Sequence, residues 1–205
     1  MHNKSNRRWL REHFSDPYVK KAHQAGLRSR SVFKLQELQE KDQLFKPGMT
    51  VIDIGAAPGG WSAFVAKIVG KSGKVIALDI LSMKPIEGVE CIQGDFNEQS
   101  VMDALLAKTT EIGVDWVISD IAPNLSGIET VDQAKSMALA ELVLAFALRT
   151  LKKKGGLLIK LFQGEGFDDF LLQLRRNFEK VVIRKPKASR GRSREIYILV
   201  KMLSL

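Results

Sequence analysis

Between Met49 and Phe162, short apolar runs alternate with segments of helical spacing, and this alternation restricts the fold more than any other feature of the chain. Strand-like runs cover Met49 to Ile54, Lys74 to Asp79, Val89 to Gln93, Asp115 to Ser119 and Gly156 to Phe162. Helical spacing covers Ser31 to Gln43, Trp61 to Val69, Asn97 to Lys108 and Thr130 to Leu151. Strands joined by helical crossovers pair in parallel and carry helices on both faces of the sheet. The pattern changes at Lys180 to Lys185 and Glu195 to Met202, two strand-like runs separated only by a basic, glycine-containing loop. That spacing predicts a hairpin, so the expected α/β sheet is mostly parallel with an antiparallel edge. At 205 residues, with no linker or repeat, the chain fits one domain. We expect residues 31–205 to form it and residues 1–30 to be a basic N-terminal arm.

The formal charge of +9 is not spread evenly. Residues 1–34 carry nine basic and two acidic groups, and residues 184–195 carry six and one, so the remainder of the chain is slightly acidic. Two concentrated basic segments suit a polyanion such as nucleic acid. The candidate RNA contacts are Arg7, Arg8, Arg11, Lys20, Lys21, Arg28 and Arg30 in the first segment and Arg190, Arg192 and Arg194 in the second. Trp9, Phe14, Tyr18 and Phe33 interleave the first segment and could stack on bases. The longest uncharged apolar stretch, at Ser136 to Leu148, is interrupted by Glu141 and is too short for a membrane span. The lone Cys91 and the absence of an export signal suit the cytoplasm. The three histidines lack metal-site spacing, so no metal is assigned. A monomer is the default expectation, with no membrane partner.

At the end of the first strand stands Asp53-Ile54-Gly55-Ala56-Ala57-Pro58-Gly59-Gly60-Trp61. In an open α/β sheet the ligand lies beyond the carboxyl ends of the strands, where glycines let the backbone approach it. The spacing matches neither the dinucleotide fingerprint nor the triphosphate loop. Asp79, Asp95 and Asp120 follow the next strands. Carboxylates at successive strand ends suit a cationic, hydroxylated ligand such as S-adenosylmethionine. A further anomaly is Lys160 in the otherwise apolar strand Gly156 to Phe162, where a charge needs a partner. Asp120 and Glu195 are the candidates.

Arg28 to Leu35, the Gly55 to Trp61 loop, Ser119 to Asn124, Lys160-Leu161-Phe162 and Ser193 to Tyr197 together resemble the FtsJ/RrmJ family of RNA ribose 2′-O-methyltransferases. The similarity follows the family's order over nearly the whole chain, and the compact bacterial type is the nearest match. It implies a Rossmann-like, seven-stranded methyltransferase fold and a catalytic tetrad of Lys34, Asp120, Lys160 and Glu195. It also implies an S-adenosylmethionine pocket at Gly55, Gly59, Gly60, Trp61, Asp79, Asp95 and Asp120. The implied reaction is methylation of a uridine ribose in large-subunit (23S) ribosomal RNA, within the assembled 50S subunit, in support of ribosome maturation. Two alternatives stand beside it. One is a transfer-RNA 2′-O-methyltransferase and the other a ribosome-assembly factor with a vestigial cofactor site. Whether Lys160 is a base or an orienting cation is left open by the sequence.

Overall fold

Apolar runs that bury both faces become the middle of a parallel sheet. In the computed structural model, which describes residues 16–109, 111–124, 126–189 and 193–203, helices α1 (Pro17–Gln24) and α2 (Val32–Asp42) precede the first strand. Then follow β1 (Thr50–Ile54), α3 (Gly60–Val69), β2 (Lys74–Asp79), β3 (Val89–Gln93), α4 (Gln99–Thr109), β4 (Val114–Ser119) and α5 (Glu129–Thr150). The chain continues through β5 (Leu151–Phe162), α6 (Phe167–Asn177), β6 (Phe178–Arg184) and β7 (Glu195–Leu203). The seven strands lie in the order β3-β2-β1-β4-β5-β7-β6. The pairs joining β3, β2, β1, β4 and β5 are parallel, and β7 runs antiparallel to both β5 and β6. The expected hairpin thus forms one edge of the sheet, with β7 as its inner strand.

Side chains alternate between the two faces of each strand, and each face has its own core. Leu158, Tyr197 and Leu199 pack with Leu35 and Leu38 of α2 and Trp61 and Val65 of α3. On the other face, Leu157, Ile159 and Ile198 pack with Leu105 of α4, Val143 of α5 and Phe170 of α6. Chain order reverses at the centre, where β1 pairs with β2 on one side and β4 on the other. The carboxyl ends of β1 and β4 therefore flank the crevice in which ligands bind in open α/β sheets.

Three elements differ from the sequence reading. β5 begins at Leu151 rather than Gly156 because Lys152, Lys153 and Lys154 tolerate an exposed strand end, and Lys152 Nζ pairs with Asp115 at 2.9 Å. Helix α6 was not anticipated, although Phe167, Phe170, Leu171 and Leu174 recur at helical spacing and are buried. Helix α1 lies within the segment read as an arm. Asp16 caps it by accepting from the Tyr18 amide, and the same aspartate pairs with Arg30.

Candidate active site

A short turn follows β1, and its glycines are required by contact as well as by conformation. Gly55 and Gly59 have φ of 76° and 91°, in the region disfavoured for other residues. A Cβ at Gly55 would meet Ile121 at 2.7 Å, and one at Gly59 would meet Ile86 at 2.3 Å. Arg28 braces this region from outside. Its guanidinium donates to the carbonyls of Pro58, Lys84 and Pro85, at 3.2, 3.1 and 2.8 Å.

Beside the turn is a cavity of about 490 Å³ lined by Gly55, Asp79, Asp95 and Asp120, together with Phe96 and Pro123 among others. Asp79 is held there by two backbone donors, Ala57 N to Oδ2 and Leu81 N to Oδ1, both at 2.8 Å. Asp95 accepts from the amide of Asn97 at 2.9 Å. Gly59, Gly60 and Trp61 do not line the cavity. Gly60 faces Ser29 and Val32, where a Cβ would stand 2.5 Å from Ser29 Oγ. Trp61 is buried, donates from Nε1 to Ser31 O at 2.9 Å and packs against the Tyr197 ring. Gly59 lets the turn pack against Ile86, while Gly60 and Trp61 attach it to the start of α2.

Below the turn lies Asp53, which is fully buried in β1. Ser62 Oγ donates to its Oδ2 at 2.5 Å, while its Oδ1 has no partner among the described residues. Burial raises its carboxyl to about 7, against the opposing effect of the Ser62 hydrogen bond, and Asp120 and Asp79 add to the rise.

The four residues implied as the tetrad come from α2, the end of β4, β5 and β7, and they meet around one phenol. Lys34 Nζ lies 2.6 Å from Glu195 Oε1, and both groups are largely buried. Lys160 Nζ lies 3.0 Å from Asp120 Oδ1 and donates to the Asp120 carbonyl at 2.6 Å. Between the two pairs stands Tyr197, with no exposed surface. Its hydroxyl accepts from Lys34 Nζ at 3.3 Å and donates to Asp120 Oδ1 at 2.9 Å. Burial and the flanking carboxylates hold its pKa well above the ordinary tyrosine value, so it remains a neutral donor. Ser189 Oγ gives Glu195 a second bond at 2.9 Å. Two cations and two anions are therefore neutralised in a connected network, which is the condition for burying them.

This arrangement has one origin in strand register. Lys160 is opposite Tyr197 and Phe162 is opposite Glu195 across the β5–β7 ladder, so all four share a face of the sheet. Sequence reading did not assign Tyr197 to the site, because a tyrosine in an apolar strand has the signature of core. Its position two residues after Glu195, on the same face, was the available signal.

Among the proposed RNA contacts, Arg28 and Arg30 hold backbone. Arg30 donates to Ala188 O at 2.6 Å besides pairing with Asp16. Lys20 and Lys21 are exposed on α1, and Arg194 is exposed and paired with Glu129 at 2.6 Å. Arg7, Arg8, Arg11, Arg190 and Arg192 lie outside the described residues.

Residues 27–203 match the FtsJ-like methyltransferase family. The chain belongs to the FtsJ-like methyltransferases. It is 57% identical over 196 residues to the "Ribosomal RNA large subunit methyltransferase E" of Xanthomonas campestris pv. campestris, covering 96% of this chain and 93% of that one. The protein of the same name from Xanthomonas oryzae pv. oryzae has the same identity and coverage. Among solved structures, a Plasmodium falciparum protein assigned as a ribosomal RNA methyltransferase superposes with a TM-score of 0.76 at 28% identity, over 86% of this chain and 98% of that one. A Clostridium thermocellum structure shares the fold alone, with a TM-score of 0.58 at 18% identity over 82% of this chain and 96% of that one. The FtsJ-like pattern thus agrees with the Rossmann-like sheet described above.

Proposed function

We propose that this protein transfers a methyl group from S-adenosylmethionine to a ribose 2′-hydroxyl of a uridine in large-subunit ribosomal RNA, within the 50S subunit in the cytoplasm. The observation that carries the reading is the joined Lys34–Glu195 and Asp120–Lys160 network bordering a carboxylate-lined cavity. The names of the relatives support ribosomal RNA as substrate over transfer RNA.

The donor set fits the cofactor. Asp79 has both oxygens fixed by backbone N–H groups, leaving lone pairs that would hold a ribose diol, and Asp95 and Asp120 add carboxylates to the lining that suit a cationic ligand. When bound, S-adenosylmethionine supplies a methyl group activated by the positive sulfur. In-line displacement then demands a 2′-oxygen held behind that methyl and an acceptor for its proton. Lys160 is the group for the proton. Its hydrogen bond to the Asp120 carbonyl and its ion pair with Asp120 Oδ1 fix the position of Nζ. Taking that proton requires the neutral amine, so Lys160 would first release its own proton to solvent, and its Nζ lone pair would then accept the proton of the 2′-hydroxyl as the methyl is transferred. Asp120 stabilises the ammonium so formed, while Lys34, held by Glu195 and Tyr197, contributes positive charge beside the reacting oxygen. We further propose that residues 1–30 work as an RNA-holding arm on a single domain of residues 31–205, with the protein acting as a monomer.

The test is transfer of labelled methyl to large subunits from cells lacking the modification, with naked ribosomal RNA and transfer RNA in parallel and Lys160→Ala as control. The expected result is ribose label in subunit RNA with the wild type and none with the folded variant. Label in transfer RNA alone overturns the substrate. Cofactor binding without transfer to any RNA overturns the reaction and favours an assembly factor.

A further inference from the structure

The cofactor cavity adjoins a second, smaller one of about 300 Å³, and Pro123 lines both. Its other walls are Phe162 from the end of β5, Gln133 and Asp132 from the first turns of α5, Gly127, and the Arg194–Glu129 pair. Phe162 stands two residues beyond Lys160 on the same face of β5 and is opposite Glu195 across the ladder. The second cavity therefore begins where the proton-accepting network ends.

Its walls are fixed by interactions that the catalytic network does not use. Gln133 Nε2 donates to the carbonyls of Phe162 and Glu165, at 3.2 and 3.0 Å, which leaves its Oε1 as the acceptor on that side chain. Gly164 gives the amide its room, since a Cβ there would stand 2.9 Å from the Gln133 amide carbon. The Asp132 carboxylate accepts from Ser126 N, Ser126 Oγ and Gly127 N, at 2.7, 2.8 and 3.1 Å, and so ties down the opposite wall. Arg194 is the exception. Its ion pair with Glu129 is solvent-exposed and weak, so the guanidinium exchanges readily onto a phosphate or a base edge.

A half-buried aromatic ring and a proline, with one fixed amide and one movable guanidinium at the rim, match the chemistry of a nucleobase. Bases of single-stranded RNA stack on aromatic faces and are read by hydrogen bonds along their edges. We propose that this cavity receives the base of the acceptor nucleotide, stacked on Phe162, with Gln133 Oε1 and Arg194 at its polar edge. The inference rests on the methyl-transfer reading and deepens it. Seating the base beyond Pro123 draws the attached ribose toward Lys160, so the pocket orients the hydroxyl without touching the reaction.

Steady-state transfer to large subunits lacking the modification tests this, with kcat, the KM for subunits and the Kd for S-adenosylmethionine measured for wild type, Phe162→Leu, Phe162→Tyr and Gln133→Leu. Loss of one stacked base corresponds to about 1–3 kcal/mol, so Phe162→Leu should lower kcat/KM for subunits roughly 5- to 150-fold, with cofactor affinity unchanged. Phe162→Tyr, which restores an aromatic face, should recover most of it, and Gln133→Leu should show a smaller loss confined to the RNA term. Wild-type kinetics in Phe162→Leu overturn the proposal, as does an equal loss in Phe162→Tyr or a parallel loss of cofactor affinity. A wild-type enzyme that places no label on ribose overturns the methyl-transfer reading instead, and this inference with it.

Discussion

The two halves of the site are built from different materials. On the donor side, the cavity wall is a local turn, and its key carboxylate, Asp79, is fixed by amides from the neighbouring backbone. On the acceptor side the wall consists of side chains brought from distant parts of the chain, with Lys34 meeting a partner 161 residues away and Tyr197 one 77 residues away. The electrostatics differ as well. Every carboxylate of the tetrad has a cationic partner, whereas Asp53 beneath the glycine turn has only a serine and an unpartnered oxygen. A cofactor can be gripped by fixed dipoles, but a proton transfer needs groups that exchange charge with one another, and those must be paired to be buried.

If the halves are separable, variants in each should fail in different ways. The largest expected effect is in Lys160→Ala, for which loss of the proposed proton acceptor predicts a fall in kcat of about 10²- to 10⁴-fold. Calorimetry should find its affinity for S-adenosylmethionine nearly unchanged, and a matching loss of affinity would break the comparison.

Asp53→Asn probes the buried acid on the donor side. An acid whose folded value is raised from 3.8 to about 7 binds a proton in the native state that the unfolded chain has already released. Its contribution to stability is therefore present at low pH and is lost as pH rises toward 7. Relative to wild type, the asparagine variant should gain on the order of 3 kcal/mol in unfolding free energy between pH 5 and pH 8. Denaturation curves at the two pH values measure this directly, and parallel curves would mean that Asp53 is ionised throughout.

A smaller effect follows from Asp79→Ala, which removes a charged acceptor worth about 1.5–3 kcal/mol. It should raise the cofactor Kd roughly 10- to 150-fold and leave kcat at saturation within a few-fold. The smallest is Tyr197→Phe. Its hydroxyl bonds the charged Lys34 and Asp120, which keep their other partners, so a loss near the low end for hydrogen bonds to charged groups, about 1.5 kcal/mol, predicts a roughly tenfold lower kcat and a lower melting temperature. Cofactor affinity should not move, so a change in Kd would show that the phenol connects the halves instead of belonging to one.

The same contrast governs what could be seen in the sequence. The glycine turn and Asp79, Asp95 and Asp120 are close to strand ends and could be placed by spacing alone. Lys160 was conspicuous because it interrupts an apolar run. Glu195 was legible as a candidate counter-charge for Lys160, although the structure pairs it with Lys34 and leaves Lys160 to Asp120; Lys34 is an ordinary surface type in sequence and entered through the family resemblance. Tyr197 was hidden by its apolar neighbours, and Arg28 and Arg30 were legible as charge but not as braces for carbonyls. Helix α6 was available from the spacing of Phe167, Phe170, Leu171 and Leu174 and was obscured by the strand pattern on either side.

β7 lies between β5 and β6 although both precede it in the chain. β7 thus covers the edge of β5, supplies Glu195 as the counter-charge of Lys34 and sets the Tyr197 phenol opposite Lys160. One strand both joins the hairpin to the sheet and completes the charge network. Losing the pairing of β7 would therefore take the acceptor side's charges from the site together with the hairpin's attachment to the sheet.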